Sequence, residues 1–309
     1  MDRRVLFAAA LLAFGASTSA TLAQEATPTS ATFADTLGLP ELEVTDNGEG
    51  LEGLPDETEA GRYLVTFTNN DEENPENNIT FVQLTEGLTV EDFGEGFAPA
   101  TPVEGEEAPI PALEALYEAY IAGGPYTSGT GQTAQAIVDL MPGDYAVWNE
   151  DFENPVAAPL TVTGEMPTDL PQPEADLTLR EVNTEQGFDF EVSGEATAGA
   201  ATIEVVNDAN QPHHVVFIKS PVELSDDQVM QLLMLDPAAG ATPPPGLPGL
   251  EEFTFPLFVP VQSPDSTQWH AVNLEPGYYV AVCFVEDPTK ENIPHAFEGM
   301  IETFEVAEA

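Results

Sequence analysis

Short runs in which apolar and polar residues alternate recur along this chain. Tyr63-Leu64-Val65-Thr66-Phe67, Ile79-Thr80-Phe81-Val82, Ile203-Glu204-Val205-Val206 and Val215-Val216-Phe217-Ile218 are rich in β-branched and aromatic residues. Asn, Pro and Gly bound them, the signature of strands ended by turns. Pro142-Gly143 and Pro276-Gly277 each stand between two such runs. There proline fixes one dihedral and glycine takes a positive one, so each pair predicts a tight turn. Thr267 to Leu274 is thus expected as one strand and Tyr278 to Phe284 as the next. One helix is predicted after Ser225-Asp226-Asp227-Gln228, a capping-box pattern followed by Val229, Leu232 and Leu233 on one face. Thr89-Val90-Glu91-Asp92-Phe93 is a shorter echo of it.

The plan occurs twice. In each half two apolar runs flank asparagine (Asn69-Asn70, then Asn207). A helix signal, a Pro- and Gly-rich insertion (Ala98 to Pro111, Pro237 to Gly249) and a Pro-Gly turn follow. Pro167 to Glu174 separates the halves. We therefore expect an all-β protein of two tandem sandwich domains with short helical insertions, at about residues 32–166 and 176–306, joined by a Pro-rich linker at 167–175.

Composition changes the picture at two points. Arg3 and Arg4, an apolar stretch from Val5 through Ala13, and small residues up to Ala23 read as an export signal over residues 1–23. The stretch is too short to span a bilayer. Arg3-Arg4 alone leaves the general secretory and twin-arginine routes open, with the flanking residues favouring the first. The expected location is periplasmic, cell-surface or extracellular, with no transmembrane segment. The chain carries 6 Lys and Arg against 55 Asp and Glu, a net charge of −49. A field of that sign repels nucleic acid and anionic lipid and attracts cations and basic partners, a basic redox protein among them. The acids are spread along the whole chain, as on a surface suited to a salty medium.

The candidate chemistry lies in the second half. Cys283 is the sole cysteine, at the end of Tyr278-Tyr279-Val280-Ala281-Val282-Cys283, and an exported protein rarely keeps one unpaired thiol without a use for it. His213 and His214 lie seventy residues upstream, and His295 and Met300 follow downstream. A thiolate, two imidazoles and a thioether are the donors of an electron-transfer copper site. Packing alone would also account for a buried cysteine or methionine. Asp46-Asn47-Gly48-Glu49-Gly50 faintly suggests cation binding but lacks calcium-loop spacing. Asn78-Ile79-Thr80 matches a glycosylation acceptor in a strand context that argues against its use. His270 reads as an exposed or half-buried strand residue, and Trp148 and Trp269 as core or edge aromatics.

Three stretches carry a resemblance to the cupredoxins, the blue copper family of plastocyanin and azurin. Pro212-His213-His214-Val215-Val216-Phe217 resembles the family's first-ligand strand. Leu274-Glu275-Pro276-Gly277-Tyr278-Tyr279-Val280 resembles the turn and strand leading to its cysteine. His295-Ala296-Phe297-Glu298-Gly299-Met300-Ile301 has the plastocyanin-like spacing between histidine and methionine. The resemblance implies Greek-key β-sandwiches, one copper ion in the second domain, and His213, Cys283, His295 and Met300 as its ligands. It also implies a type 1 electron carrier whose His295 edge, near the surface, is the electron exit. The first half resembles the family only as a degenerate copy.

Two departures stand out. Eleven residues, Phe284 to Pro294, separate Cys283 from His295, far more than the family's loop. His214 replaces the family's asparagine, either as the same brace between loops or as a competing ligand. Aligning the two halves puts Asn77 where His213 stands and Asn149 where Cys283 stands, so the first domain cannot hold this metal site. The chain has 4 histidines, too few for a further catalytic copper cluster, and no hydrolase nucleophile motif, so an electron carrier is expected over an enzyme. A metal-free secreted interaction or structural module and carriage of Cu(I) are the alternatives. The sequence leaves the oligomeric state open.

Overall fold

A computed structural model describes residues 32–85, 89–91, 117–149, 156–235 and 241–309. The expected signal segment and the Ala98 to Pro111 insertion lie outside them. So does part of the Thr89–Phe93 echo.

The first sandwich runs β1 (Glu41–Asp46), β2 (Leu51–Glu52), β3 (Glu57–Glu59), β4 (Gly61–Asn69), β5 (Asn77–Gln83), β6 (Ile121–Gly123), β7 (Tyr126–Thr127), β8 (Gln132–Leu140), β9 (Gly143–Asn149) and β10 (Ala157–Thr163). The second runs β11 (Leu177–Asn183), β12 (Phe188–Gly194), β13 (Gly199–Asn207), β14 (His213–Ser220), the helix α1 (Asp226–Leu233), β15 (Thr254–Gln262), β16 (Thr267–Leu274), β17 (Gly277–Val282), β18 (Glu286–Asp287), β19 (Ile293–Pro294) and β20 (Ile301–Val306). In each unit the first long strand pairs in parallel with the third element of its sheet, β1 with β4 and β11 with β13. The facing sheets are β3-β10-β9-β5-β6 and β15-β14-β17-β20.

The repeat holds at the level of register. Phe81 pairs with Val147, and Phe217 with Ala281. These are the positions that the two sequence alignments superpose. The Pro-Gly turns match as well: Tyr145 Oη donates to the Met141 carbonyl and Tyr279 Oη to the Glu275 carbonyl, both at 2.9 Å. A tyrosine bonding back to the chain a few residues upstream locks a sandwich corner. Gly143 and Gly277 take positive φ at those turns, as the Pro-Gly pairs predict.

Alternation decides the cores. Leu42 and Val44 in β1, and Leu177 and Leu179 in β11, point between the sheets. In the second unit that interior also takes Phe188, Phe190, Val215, Phe217, Tyr279, Ala281, Cys283 and Met300. The other face of its β14-β17-β20 sheet packs Val280, Val282 and Ile301 beneath Val229 and Leu232 of α1. The helix begins at Ser225 with the expected reciprocal capping box.

The two sandwiches are fused edge to edge. β16 pairs antiparallel with β8 (Trp269 with Ile137, His270 with Ala136), making one eight-stranded sheet across both units. Arg62 bolts the seam. Its guanidinium meets Asp139 at 2.7 and 2.8 Å, reaches the linker at the Pro171 carbonyl, and lies 4.2 Å over the Trp269 ring. On the other side Gly124 N–H donates to Gln268 Oε1 (2.9 Å). Gly123, at φ +80°, leaves no room there for a Cβ, which would lie about 2 Å from the Gln268 amide. The seam corrects one expectation: His270 is buried, not exposed, because β16 is an interior strand of the fused sheet. Both tryptophans are buried as well. Among the described residues no helix is long and apolar enough to cross a membrane.

Candidate metal centre

β14 opens on His213, and Cys283 lies one residue beyond the end of β17, so both side chains meet at the same end of the sandwich interior. The expectation that Cys283 lies within its strand is corrected by that one residue. His295 arrives from the long loop, which builds itself into a hairpin. β18 pairs with β19 around a turn at Pro288–Lys290, with Glu291 and Asn292 in the left-handed region. Asp287 closes the turn by accepting from the Thr289 N–H (2.7 Å) and hydroxyl (2.6 Å). Lys290 pairs with Glu298. The hairpin ends where it began: His295 N–H donates to the Val285 carbonyl (2.9 Å) and Ala296 N–H to the Cys283 carbonyl (2.8 Å). The eleven intervening residues thus return His295 beside Cys283.

The three side chains converge. Cys283 Sγ is 3.6 Å from His213 Nδ1 and 3.6 Å from His295 Nδ1, and the two Nδ1 atoms are 2.8 Å apart. A triangle with those sides has a circumradius of about 2 Å, the length of a metal–nitrogen bond and close to a metal–sulfur bond. Among the described residues these three form a group whose ligand atoms all lie within 4.8 Å. Met300 is buried in the same interior, and its carbonyl accepts from Cys283 N–H (3.3 Å). Phe188 packs on both imidazoles, with ring centroids 4.7 Å from His213 and 4.4 Å from His295.

Burial sets the charge state. It pushes the Cys283 thiol well up, and the Glu181 carboxyl nearby adds to the shift against hydrogen bonds that oppose it. Burial likewise holds His213 well below the ordinary imidazole value and lowers His295 to about 4. The metal-free site is therefore neutral: one thiol and two neutral imidazoles. A single hydrogen fits between the two Nδ1 atoms.

His214 takes no part in the triangle. Its Nε2 accepts from Phe284 N–H at 2.8 Å, tying β14 to the residue after Cys283. This is the brace, not the competing ligand. His295 departs from expectation in its burial. Its ring is fully buried, and Nε2 meets Gln211 Oε1 at 2.9 Å. The hairpin and Gln211 cover the edge that the resemblance placed near the surface. Gln211, Phe188 and Glu181 went unnoticed in the sequence. For Glu181 a signal existed, an acid continuing the inward Leu177-x-Leu179 alternation.

The first sandwich fills the equivalent space with two amides and a carboxylate in place of sulfur and imidazole donors. Asn77 and Asn149, at the positions of His213 and Cys283, each donate from Nδ2 to Asp46 Oδ2 at 2.9 Å. Asp46 Oδ1 accepts from Gly48 N–H. Asp46 is thus consumed by amides, which removes it from the cation loop that Asp46–Gly50 suggested. Asn78, of the possible glycosylation acceptor, is buried, in keeping with the coincidental match.

No family model and no curated protein matches this chain. Solved structures similar to it include reduced auracyanin from the photosynthetic bacterium Roseiflexus castenholzii, with 20% identity over 42% of this chain and 94% of that one, at a TM-score of 0.26. Auracyanin B shows 15% identity over 46% and 95%, at 0.24. Copper nitrite reductase from Nitrosomonas europaea shows 11% over 86% and 93%, at 0.22. The strand order and paired registers described above carry the assignment: two tandem cupredoxin-like β-sandwiches, with a His-Cys-His cluster in the second.

Proposed function

We propose that this protein is an exported type 1 copper electron carrier, holding one ion in its second sandwich through His213, Cys283, His295 and Met300. The observation behind this reading is the triangle of Sγ and two Nδ1 atoms. Its donors are a soft sulfur and two imidazoles, the set that suits copper among common metals. Bound there, copper would supply a one-electron couple. The chain supplies the rest. The β14 and β17 ends and the hairpin hold three ligands close together before any ion arrives, so little rearrangement accompanies binding. Phe188 and the surrounding apolar side chains keep water out. The thiol hydrogen must leave for Cys283 to bind, so loading releases a proton and strengthens as pH rises.

A carrier is favoured over an enzyme because the remaining histidines are committed elsewhere: His214 braces Phe284, and His270 is buried in the seam. All four basic residues outside the N-terminal segment, Arg62, Arg180, Lys219 and Lys290, are paired with acids. The surface left over is strongly negative and suits a basic redox partner. Export rests on the N-terminal pattern and on the unpaired thiol.

The test is to express the protein, load it with Cu(II) and record its visible spectrum. An intense thiolate-to-copper band toward the red, lost in Cys283→Ser, is the expected result. A colourless protein that binds Cu(I) would replace this reading with copper carriage. No stoichiometric copper would leave a metal-free sandwich module. Sequencing the N-terminus of secreted material, expected near Gln24, tests export.

A further inference from the structure

The second sandwich holds the ligand-type residues, yet part of what closes the site comes from the first. Tyr117, half-buried, donates its hydroxyl to the Glu286 carbonyl (2.6 Å) at the start of the hairpin, and the same oxygen lies 3.1 Å from Gln211 Oε1. A phenol has one hydrogen, and the shorter contact takes it. Asp287 fixes which way Gln211 points: a carboxylate only accepts, so the Gln211 amino group faces Asp287 Oδ1 at 3.1 Å and Oε1 faces Tyr117 and His295. Oε1 also only accepts. His295 must then carry its hydrogen on Nε2, which leaves the Nδ1 lone pair aimed at Cys283 and His213. A ring nitrogen's hydrogen bond setting the state of the other nitrogen is a general device of metal-ligating histidines. What differs here is its source. The imidazole bonds to Gln211, and a tyrosine of the other sandwich lies 3.1 Å beyond that amide oxygen.

We propose that Gln211 and Tyr117 are positioning residues for His295, and that the first sandwich is the cap of the second sandwich's site. Gln211 sets the His295 tautomer. Tyr117 pins the hairpin over the ring, and its own edge replaces the imidazole's as the contact point for an electron-exchange partner. The last clause rests on the copper reading, and the rest does not.

Two measurements test it. In metal-free protein, nitrogen-resolved NMR of His295 should show the Nε2–H tautomer, with that hydrogen exchanging at least about tenfold more slowly than in Gln211→Met. Tyr117→Phe should keep the tautomer and speed the exchange. Gln211→Met should lose both. An Nδ1–H tautomer in the wild type, or wild-type exchange as fast as in Gln211→Met, overturns the cap whatever the metal content. In the copper-loaded protein, the Cu(I) form is mixed with tris(phenanthroline)cobalt(III), a cationic one-electron oxidant. One electron passes to cobalt(III), giving cobalt(II), with no bond made or broken. Tyr117→Ala, which removes the tyrosine edge and its pin on the hairpin, should change that rate several-fold while the thiolate band stays in place. An unchanged rate overturns the contact role. A wild-type protein without the thiolate band sinks the copper reading instead, and leaves the NMR result to decide the cap alone.

Discussion

Asp46 and Glu181 occupy the same place in the two sandwiches. Asp46 pairs with Asn69 across the parallel strands, and Glu181 with Asn207. The chain then turns identically: Asn70 N–H donates to the Asp46 carbonyl and Asp208 N–H to that of Glu181, at 2.8 and 3.0 Å. Both asparagines cap the following loop, each accepting at Oδ1 from the backbone two residues on. One backbone position therefore delivers a buried acid to the end of each interior. In the first sandwich the carboxylate is satisfied by Asn77 and Asn149. In the second, the equivalent positions are His213 and Cys283. Glu181 turns instead to Gln262 Nε2 (3.1 Å), and among the described residues its Oε1 has no hydrogen-bond partner.

The Asp46 cluster should carry stability and no metal function. Asp46→Asn leaves one accepting oxygen for three N–H donors held by two oxygens, those of Asn77 and Asn149 on one side and Gly48 on the other, so at least one donor faces an amide nitrogen and loses its partner. The cost should be about 2–3 kcal/mol. For a chain of this size that lowers the melting temperature by roughly 3–5 °C. Thermal denaturation checks it. An unchanged melting temperature, or loss of copper binding with stability intact, would contradict the assignment.

Glu181 should make the metal-free protein less stable as pH rises. Burial pushes its carboxyl up to about 8, against a lowering hydrogen bond from Gln262. Below the ordinary carboxyl value both folded and unfolded chains hold the proton, and there is no penalty. Between that value and about 8 the unfolded chain has released its proton while the folded chain keeps it. The folded state then binds more protons and stability falls with pH, by roughly 3–6 kcal/mol in total. Glu181→Gln copies the protonated shape and cannot ionise. Denaturant titrations of the metal-free proteins should agree near pH 4 and diverge by pH 8, with the variant the more stable. Parallel curves across that range would refute it.

The cluster of His213, Cys283 and His295 was legible in the sequence because the donor types that suit copper restrict residue type. One cysteine, two histidines and a methionine in the right order leave few alternatives, and the Pro-Gly turns and repeated asparagines fixed the strand frame around them. The cap was not legible. Tyr117 and Glu286 are far apart in sequence, and the fusion of β8 to β16 that brings them together leaves no local pattern. The burial of His270 and of the His295 edge was missed for the same reason: alternation along a strand gives its two faces, not what covers them. The long hairpin stood out as an insertion, but its self-closure depends on Asp287 bonding to Thr289 and Gln211, a tertiary contact.

His214 should tolerate replacement only by another acceptor. Its Nε2 receives the Phe284 N–H, and burial lowers its pKa to about 3, so it stays neutral and accepting across the physiological range. His214→Ala removes that acceptor at a cost of about 1–2 kcal/mol, next to Cys283. The thiolate band of the loaded protein should broaden. His214→Gln, whose amide oxygen can take the place of Nε2, should restore most of both. If His214→Ala abolished copper binding outright, His214 would be a ligand after all.

The hairpin should be the acid-sensitive part of the site. Burial alone would raise the Asp287 carboxyl, but hydrogen bonds from the Thr289 hydroxyl and amide and from Gln211 outweigh it, and its pKa is lowered. A lowered acid contributes stability that is complete above the unfolded value, near 3.9, and is lost as pH falls through the folded one. Asp287 anchors both the turn and Gln211, so that loss should reach His295 before the sandwich unfolds. Asp287→Ala should reproduce the acid effect at neutral pH. Hydrogen exchange of residues 284–295 should speed up while that of β14 and β17 stays slow. Asp287→Asn, which keeps an accepting oxygen for Thr289, should lie between. Uniform loosening of the whole second sandwich in Asp287→Ala would mean that the hairpin is part of the core rather than a separate clamp on the ligand.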